Sequence, residues 1–180
     1  MAKKIEKIRR VEIDDERINH TIEAYFKWKD LNTYIKSVST RGINMPDAIS
    51  EPMGCWCMGY LWNRGKEVGD AYDPKTNKKI EFKATSNYDT DLSSIGPKTK
   101  FDNLVFLRYN LSENKLYIYD LETNSDQLAQ MNVNRTQKIG DQKEEKRRPH
   151  IGIIKLFKLD EKEPTVVFDI RKGQIEVDNR

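Results

Sequence analysis

Apolar residues recur along this chain with two different periods. Between Asp14 and Val38 they keep helical spacing: Ile18, Ile22, Tyr25 and Phe26, then Leu31, Tyr34, Ile35 and Val38. The polar run Lys29-Asp30-Leu31-Asn32 is a candidate break into two helices. The stripe serves core packing or a self-complementary two-fold interface equally well. Arg41-Gly42 closes this unit. Pro46 and Asp47 open another helix, with proline in the first turn and an acid at the positive end of the dipole. It is expected to run to about Trp62, with Pro52 and Gly54 as weak points.

Beyond it the period changes to two. Val68 to Tyr72 reads as a short strand, Asp73-Pro74-Lys75-Thr76-Asn77 as a turn, and Lys79 to Ala84 as a second strand. Asn103–Tyr109 and Lys115–Leu121 form a further hairpin. Asn124 to Met131 is a short helix, and Lys138 to Arg148 a charged, mobile stretch. Ile151 to Phe157 reads as a strand, and Thr165–Ile170 with Gln174–Val177 as a closing hairpin about Lys172-Gly173. The pattern predicts an α/β protein with a mixed central sheet flanked by helices. We divide it as 14–40 helical, 41–121 core, and 122–180 recognition segment and closing strands.

Composition narrows the class. A chain of 180 residues can bury a real core. No apolar run approaches the roughly 18 residues of a membrane helix, and no leader is visible, so a cytoplasmic protein is expected. Cys55 and Cys57 are spaced wrongly for a zinc knuckle and read as buried free thiols. The net charge of +3 is modest, but the basic residues cluster. That permits a nucleic-acid surface without demanding one. The basic start MAKKIEKIRR is a solvated tail or, less simply, a phosphate-contacting arm.

The chemistry centres on Gly69 to Ala84. Alternation sends Ile80, Phe82 and Ala84 to the core and brings Glu81 and Lys83 out together on the other face. If the two strands pair, Asp70 arrives beside Glu81. Two carboxylates, with the Phe82 carbonyl between them, are hard oxygen donors suited to Mg²⁺. Lys83 is placed to orient an attacking water or to stabilise developing negative charge. Other acid–x–Lys pairs exist (Asp73/Lys75, Glu113/Lys115, Asp141/Lys143, Glu144/Lys146, Asp160/Lys162), each with a polar or proline residue between. Only Glu81-Phe82-Lys83 has a bulky apolar centre within a strand pattern. The plain alternative is a solvated strand face with a surface ion pair.

This pattern resembles the PD-(D/E)xK nuclease motif. Gly69-Asp70-Ala71-Tyr72-Asp73 with Glu81-Phe82-Lys83-Ala84 is similar to the active hairpin of PvuII-type restriction endonucleases. The resemblance maps the two acids to Asp70 and Glu81 and the lysine to Lys83. Asp73 matches an extra acid that is not a primary ligand. This chain has one more turn residue and Gly69 where proline is usual. The resemblance also implies a helix before the hairpin with a glutamate serving a second metal, for which Glu51 is the candidate; a helix-surface acid is its plainer reading.

Several polar segments are candidate DNA contacts. Thr85, Ser86, Asn87, Ser93 and Ser94 leave the catalytic strand where PvuII-like enzymes begin to touch DNA. Lys98, in Pro97–Lys100, is suited to phosphate. Asn134 and Arg135 carry side chains that read bases or fill an ordinary loop. Arg147, Arg148 and His150 enter a predicted strand, with arginine matched to guanine; this run is also similar to small restriction enzymes that cut GCNGC. The expectation is a homodimeric type II restriction endonuclease that hydrolyses double-stranded DNA with Mg²⁺ and leaves 5′-phosphates. A companion methyltransferase would protect host DNA. The rivals are a shape-reading junction or repair nuclease, and a DNA-binding module without catalysis.

Overall fold

The structure, a computed structural model, describes residues 10–65 and 69–180. Residues 1–9, most of the basic arm, and Val68 fall outside them. In chain order the elements are β1 (Arg10–Val11), α1 (Asp15–Val38), α2 (Asp47–Met58), β2 (Leu61–Asn63), β3 (Ala71–Asp73), β4 (Lys78–Thr85) and β5 (Ser93–Ser94). They continue with β6 (Asn103–Asn110), β7 (Lys115–Asp120), α3 (Ser125–Ala129), α4 (Ile139–Glu144), β8 (His150–Ile151), α5 (Ile153–Leu156), β9 (Val166–Asp169) and β10 (Gln174–Asp178).

Among the described residues the main sheet runs β1-β2-β3-β4-β6-β7-β9-β10, with β5 and β8 as a separate ribbon. The β4–β6 pair is parallel, while its neighbours are antiparallel, so the sheet is mixed as expected. Each face has its own core. Val105, Leu107 and Tyr109 of β6 join Tyr25, Trp28 and Met53 from α1 and α2. Leu104 and Phe106 join Ile95, Leu128, Ile139 and Ile153 on the other face. Burial on both sides explains why β6 reads as an unbroken apolar run, not an alternating one.

Several boundaries differ from expectation. α1 is unbroken through Lys29–Asn32, since Lys29 donates from its side chain to the Leu111 carbonyl and to Asn114, both at 2.6 Å. Asn32 is buried and accepts from the Ile43 amide. α2 ends at Met58, where Gly59 adopts the left-handed cap, and residues up to Asn63 form β2 instead. The stretch expected to be mobile carries α4. The expected strand Ile151–Phe157 is instead the two-residue β8 followed by α5. The carboxylate of Asp91 accepts from the Ile153 and Ile154 amides at 2.9 and 3.0 Å and so starts a helix there. Ala84, expected in the core, is exposed. Both cysteines are buried free thiols. No helix among the described residues is long and apolar enough to cross a membrane.

Candidate active site

Gly69 sets the entry to the hairpin. Its φ is +94°, a left-handed conformation that side chains resist, and a Cβ there would meet the Ile80 carbonyl oxygen at 3.0 Å. The bend lets the Asp70 amide donate to that carbonyl at 2.8 Å. β3 pairs with β4 so that Ala71 faces Ile80 and Tyr72 faces Lys79. The paired register ends at Ala71 and Ile80; Asp70 lies just beyond it, close enough for the charge of Glu81 to act on its carboxyl. Asp73 is absorbed by the turn, accepting from the Lys75 amide and the Thr76 hydroxyl.

β3 is shorter than β4, so the next amide of β4 has no backbone partner on that flank. Asp70 supplies one: its Oδ2 accepts from the Phe82 amide at 2.8 Å. The N–H and C=O of a strand residue turn to the same side, so the Phe82 carbonyl opens on this flank too. Glu81 and Lys83 point to the face of Leu104 and Phe106, their parallel neighbours. Glu81 is only 7% exposed, and its Oε1 accepts from Lys83 Nζ at 2.6 Å.

Electrostatics tie a third acid to this pair. Glu51 comes from α2, and its Oε2 accepts from Trp62 Nε1 at 2.7 Å. Burial, followed by the charge of Asp70, pushes its carboxyl up to about 8 against the pull of that hydrogen bond. Burial, then Glu81, raises Asp70 to about 6, while the Phe82 amide and Lys83 oppose the shift. Among the described residues no three His, Cys, Asp or Glu side chains gather as a ready-made metal cage. The donors at hand are two facing carboxylates and a strand carbonyl. Their oxygen chemistry fits a hard divalent cation, and burying two acids together calls for positive charge.

Asp70 and Glu81 open on a cleft of about 510 Å³, whose other walls include Lys98, Thr99 and Arg148. Phe82 and Lys83 line a second groove of about 610 Å³. Thr85, Ser86, Asn87, Ser93 and Ser94 all line this groove. Within it Asn87 Nδ2 donates to Thr90 Oγ1, and buried Ser93 donates to Asp91. Ser94 pairs with His150 across the β5–β8 ribbon, and His150 lines a separate hollow beside Asn132 and Lys155. Asn134 caps an exposed turn, accepting from the Thr136 and Gln137 amides, and Arg135 is exposed beside it. Arg147 is held by Glu145. Asn134, Arg135 and Arg147 line neither the cleft nor the groove.

A model of the Bsp6I restriction endonuclease family matches residues 13–159. A type II restriction enzyme, Bsp6I from Bacillus sp. (strain RFL6), is 45% identical over 166 residues, covering 92% of this chain and 95% of that protein. The chain belongs to the Bsp6I restriction endonuclease family. No solved structure matches it. The segment shared with the Bsp6I family holds Glu51, the hairpin, both clefts and the β5–β8 ribbon. It stops before β9 and β10.

Sequence reasoning missed some residues around the site. Trp62, expected at the end of a helix, lies in β2 and donates to Glu51. Lys143 lies in the charged run, and its Nζ donates to the Thr99 carbonyl at 3.2 Å at the wall of the cleft. Asp102 braces β4, accepting from the Lys79 amide and donating its own amide to the Lys79 carbonyl, each at 2.9 Å. None of these carries a local sequence signal, because each partner is distant along the chain.

Proposed function

We propose that this chain, a type II site-specific deoxyribonuclease acting on DNA, hydrolyses phosphodiesters of the double helix at Asp70 and Glu81 of the cleft and Lys83 of the adjoining groove. The observation that supports this reading is the hydrogen bond from the Phe82 amide to Asp70 Oδ2 at 2.8 Å, which ties Asp70 to the strand carrying Glu81 and Lys83. Mg²⁺ is the proposed cofactor, held by Asp70, Glu81 and the Phe82 carbonyl, with Glu51 on the α2 side. Bound there, it would lower the pKa of a water and neutralise charge on the phosphate.

The chain's own groups divide the remaining work. Phe82 N–H fixes the Asp70 carboxylate in one orientation. Glu81 fixes the Lys83 ammonium, which is half-buried at the end of the catalytic strand and orients the attacking water or meets charge growing on the phosphate. The polar groove of Thr85, Ser86, Asn87, Ser93 and Ser94 continues from Lys83 and takes the adjoining DNA. A homodimer brings two such clefts to the two strands of a symmetric site. Cutting leaves 5′-phosphates, with GCNGC the proposed target and a methyltransferase the cellular companion.

The test is digestion of unmethylated plasmid with and without Mg²⁺. Discrete Mg²⁺-dependent fragments are expected, whose ends give the site. Lys83→Ala is expected to slow cutting by about 10²- to 10⁴-fold while DNA binding persists. A smear, or cutting confined to branched DNA, overturns sequence-specific cleavage in this cleft.

A further inference from the structure

Arg147 and Arg148 are neighbours in sequence but part company in the fold. Arg147 is occupied: its Nε lies 2.6 Å from Glu145, and its Nη2 reaches Gln137. Among the described residues Arg148 has no ion pair or side-chain hydrogen bond. Its position is nonetheless fixed by the ribbon. Ser93 faces Ile151, Ser94 faces His150, and the Ile95 amide donates to the Pro149 carbonyl at 3.2 Å. One pair further, Arg148 falls opposite Gly96, where a turn begins that Thr99 closes by donating its amide back to Gly96. Pro149 is buried, so alternation turns Arg148 outward. Lys143 secures the far end of the same turn through the Thr99 carbonyl.

The outcome is a guanidinium on the wall of the cleft that holds Asp70 and Glu81. A polyanion entering this cleft meets two carboxylates; Lys98 shares the wall with Arg148, and Lys83, in the adjoining groove, is already paired with Glu81 at 2.6 Å. An unpaired guanidinium on a braced ribbon adds what a lysine does not, because its planar fork matches phosphate oxygens in pairs. We infer that Arg148 holds a phosphate of the cleaved strand next to the scissile bond, and does not read a base. The inference rests on the cleft of Asp70 and Glu81 being the active site. It also gives the two arginines separate duties, although the sequence presents them as one basic cluster.

The probe is a short duplex carrying the site found from plasmid ends. Its phosphates are replaced one at a time by neutral methylphosphonates, and single-turnover cutting is measured in Mg²⁺. Wild-type protein is expected to lose about 10- to 100-fold at one phosphate beside the cut. Arg148→Ala should lose a similar factor on the unmodified duplex and nothing more at that phosphate, because the two changes remove the same contact. Discrimination against single-base variants should be unchanged, and the salt slope of binding should fall by about 0.9. Relaxed discrimination at one base pair, with the phosphate pattern intact, overturns the inference in favour of base reading. Wild-type cutting by Arg148→Ala also overturns it. Lys83→Ala separates the two readings. If it cuts at the wild-type rate, the cleft is not the active site and both fall. If it is inactive while Arg148→Ala keeps the wild-type phosphate pattern, the cleft stands and only the role of Arg148 is lost.

Discussion

Gly69 shows how one backbone angle positions a carboxylate. Its left-handed φ turns the chain so that Asp70 binds Ile80 through its amide and Phe82 through its side chain. Gly69→Ala would combine strain with a close contact on the Ile80 carbonyl. It should destabilise the fold by about 1–3 kcal/mol and slow cutting further by displacing Asp70. Urea unfolding and single-turnover cutting check the two effects. Glu51 gives a prediction in pH. Its carboxyl titrates at about 8 in the fold against a usual 4.5, so folding favours the protonated form. The unfolded chain loses its proton first as pH rises, and the stability linked to this group falls between about 4.5 and 8. Without divalent ions, the melting temperature should drop from pH 5 to pH 8.5. Glu51→Gln should flatten that drop; an equal drop in the variant would assign it to other groups. The sequence made Asp70, Glu81 and Lys83 legible because hairpin pairing and alternation are local rules. It did not reveal that Glu81 is buried. Alternation places Glu81 away from one core, but the opposite face of this sheet carries a second core.

At the scale of elements, long strands and helices were readable and short ones were not. β7 and the first turns of α1 have enough repeats for their period to be read, and β6 is legible as a long unbroken apolar run bounded by turn residues. Ile151–Phe157 does not: Ile-Gly-Ile-Ile-Lys-Leu-Phe is compatible with either period, and the choice is made by a carboxylate some sixty residues away, that of Asp91. Asp91 therefore ties the groove loop behind β4 to the start of α5, and with Ser93 braces the ribbon. Asp91→Ala should lower stability by about 1–2 kcal/mol, as loss of a helix cap does, and should weaken DNA binding because groove and ribbon come loose together. The urea midpoint and a binding titration without Mg²⁺ measure the two effects. If stability falls and affinity does not, the groove is not a DNA surface. Arg108 of β6 anchors the same loop from beneath, donating from Nε to the Tyr88 carbonyl at 2.7 Å and from Nη2 to Asp160 at 2.8 Å.

For the whole molecule, the proposed pairing of two copies needs a surface. α1 packs one side on the core through Ile18, Tyr25 and Trp28 and leaves Leu31, Tyr34 and Val38 exposed on its last turns. The sequence stripe thus divides, its first half core and its second half uncovered. If the exposed half is the interface, Leu31→Glu with Val38→Glu should shift the mass measured by light scattering from two chains to one and abolish double-strand cutting. Unchanged mass would place the contact elsewhere. The edges of the sheet bear on this question. β10 bulges between Ile175 and Val177 and carries Glu176 and Asp178, and β1 is two residues long as described. Among the described residues neither edge presents a straight row of free backbone groups for a second copy to extend. The proposed pair would then be joined through side chains such as those exposed on α1, and a pair in exchange with single chains comes apart on dilution. Double-strand cutting by dilute protein should therefore rise more steeply than in proportion to its concentration.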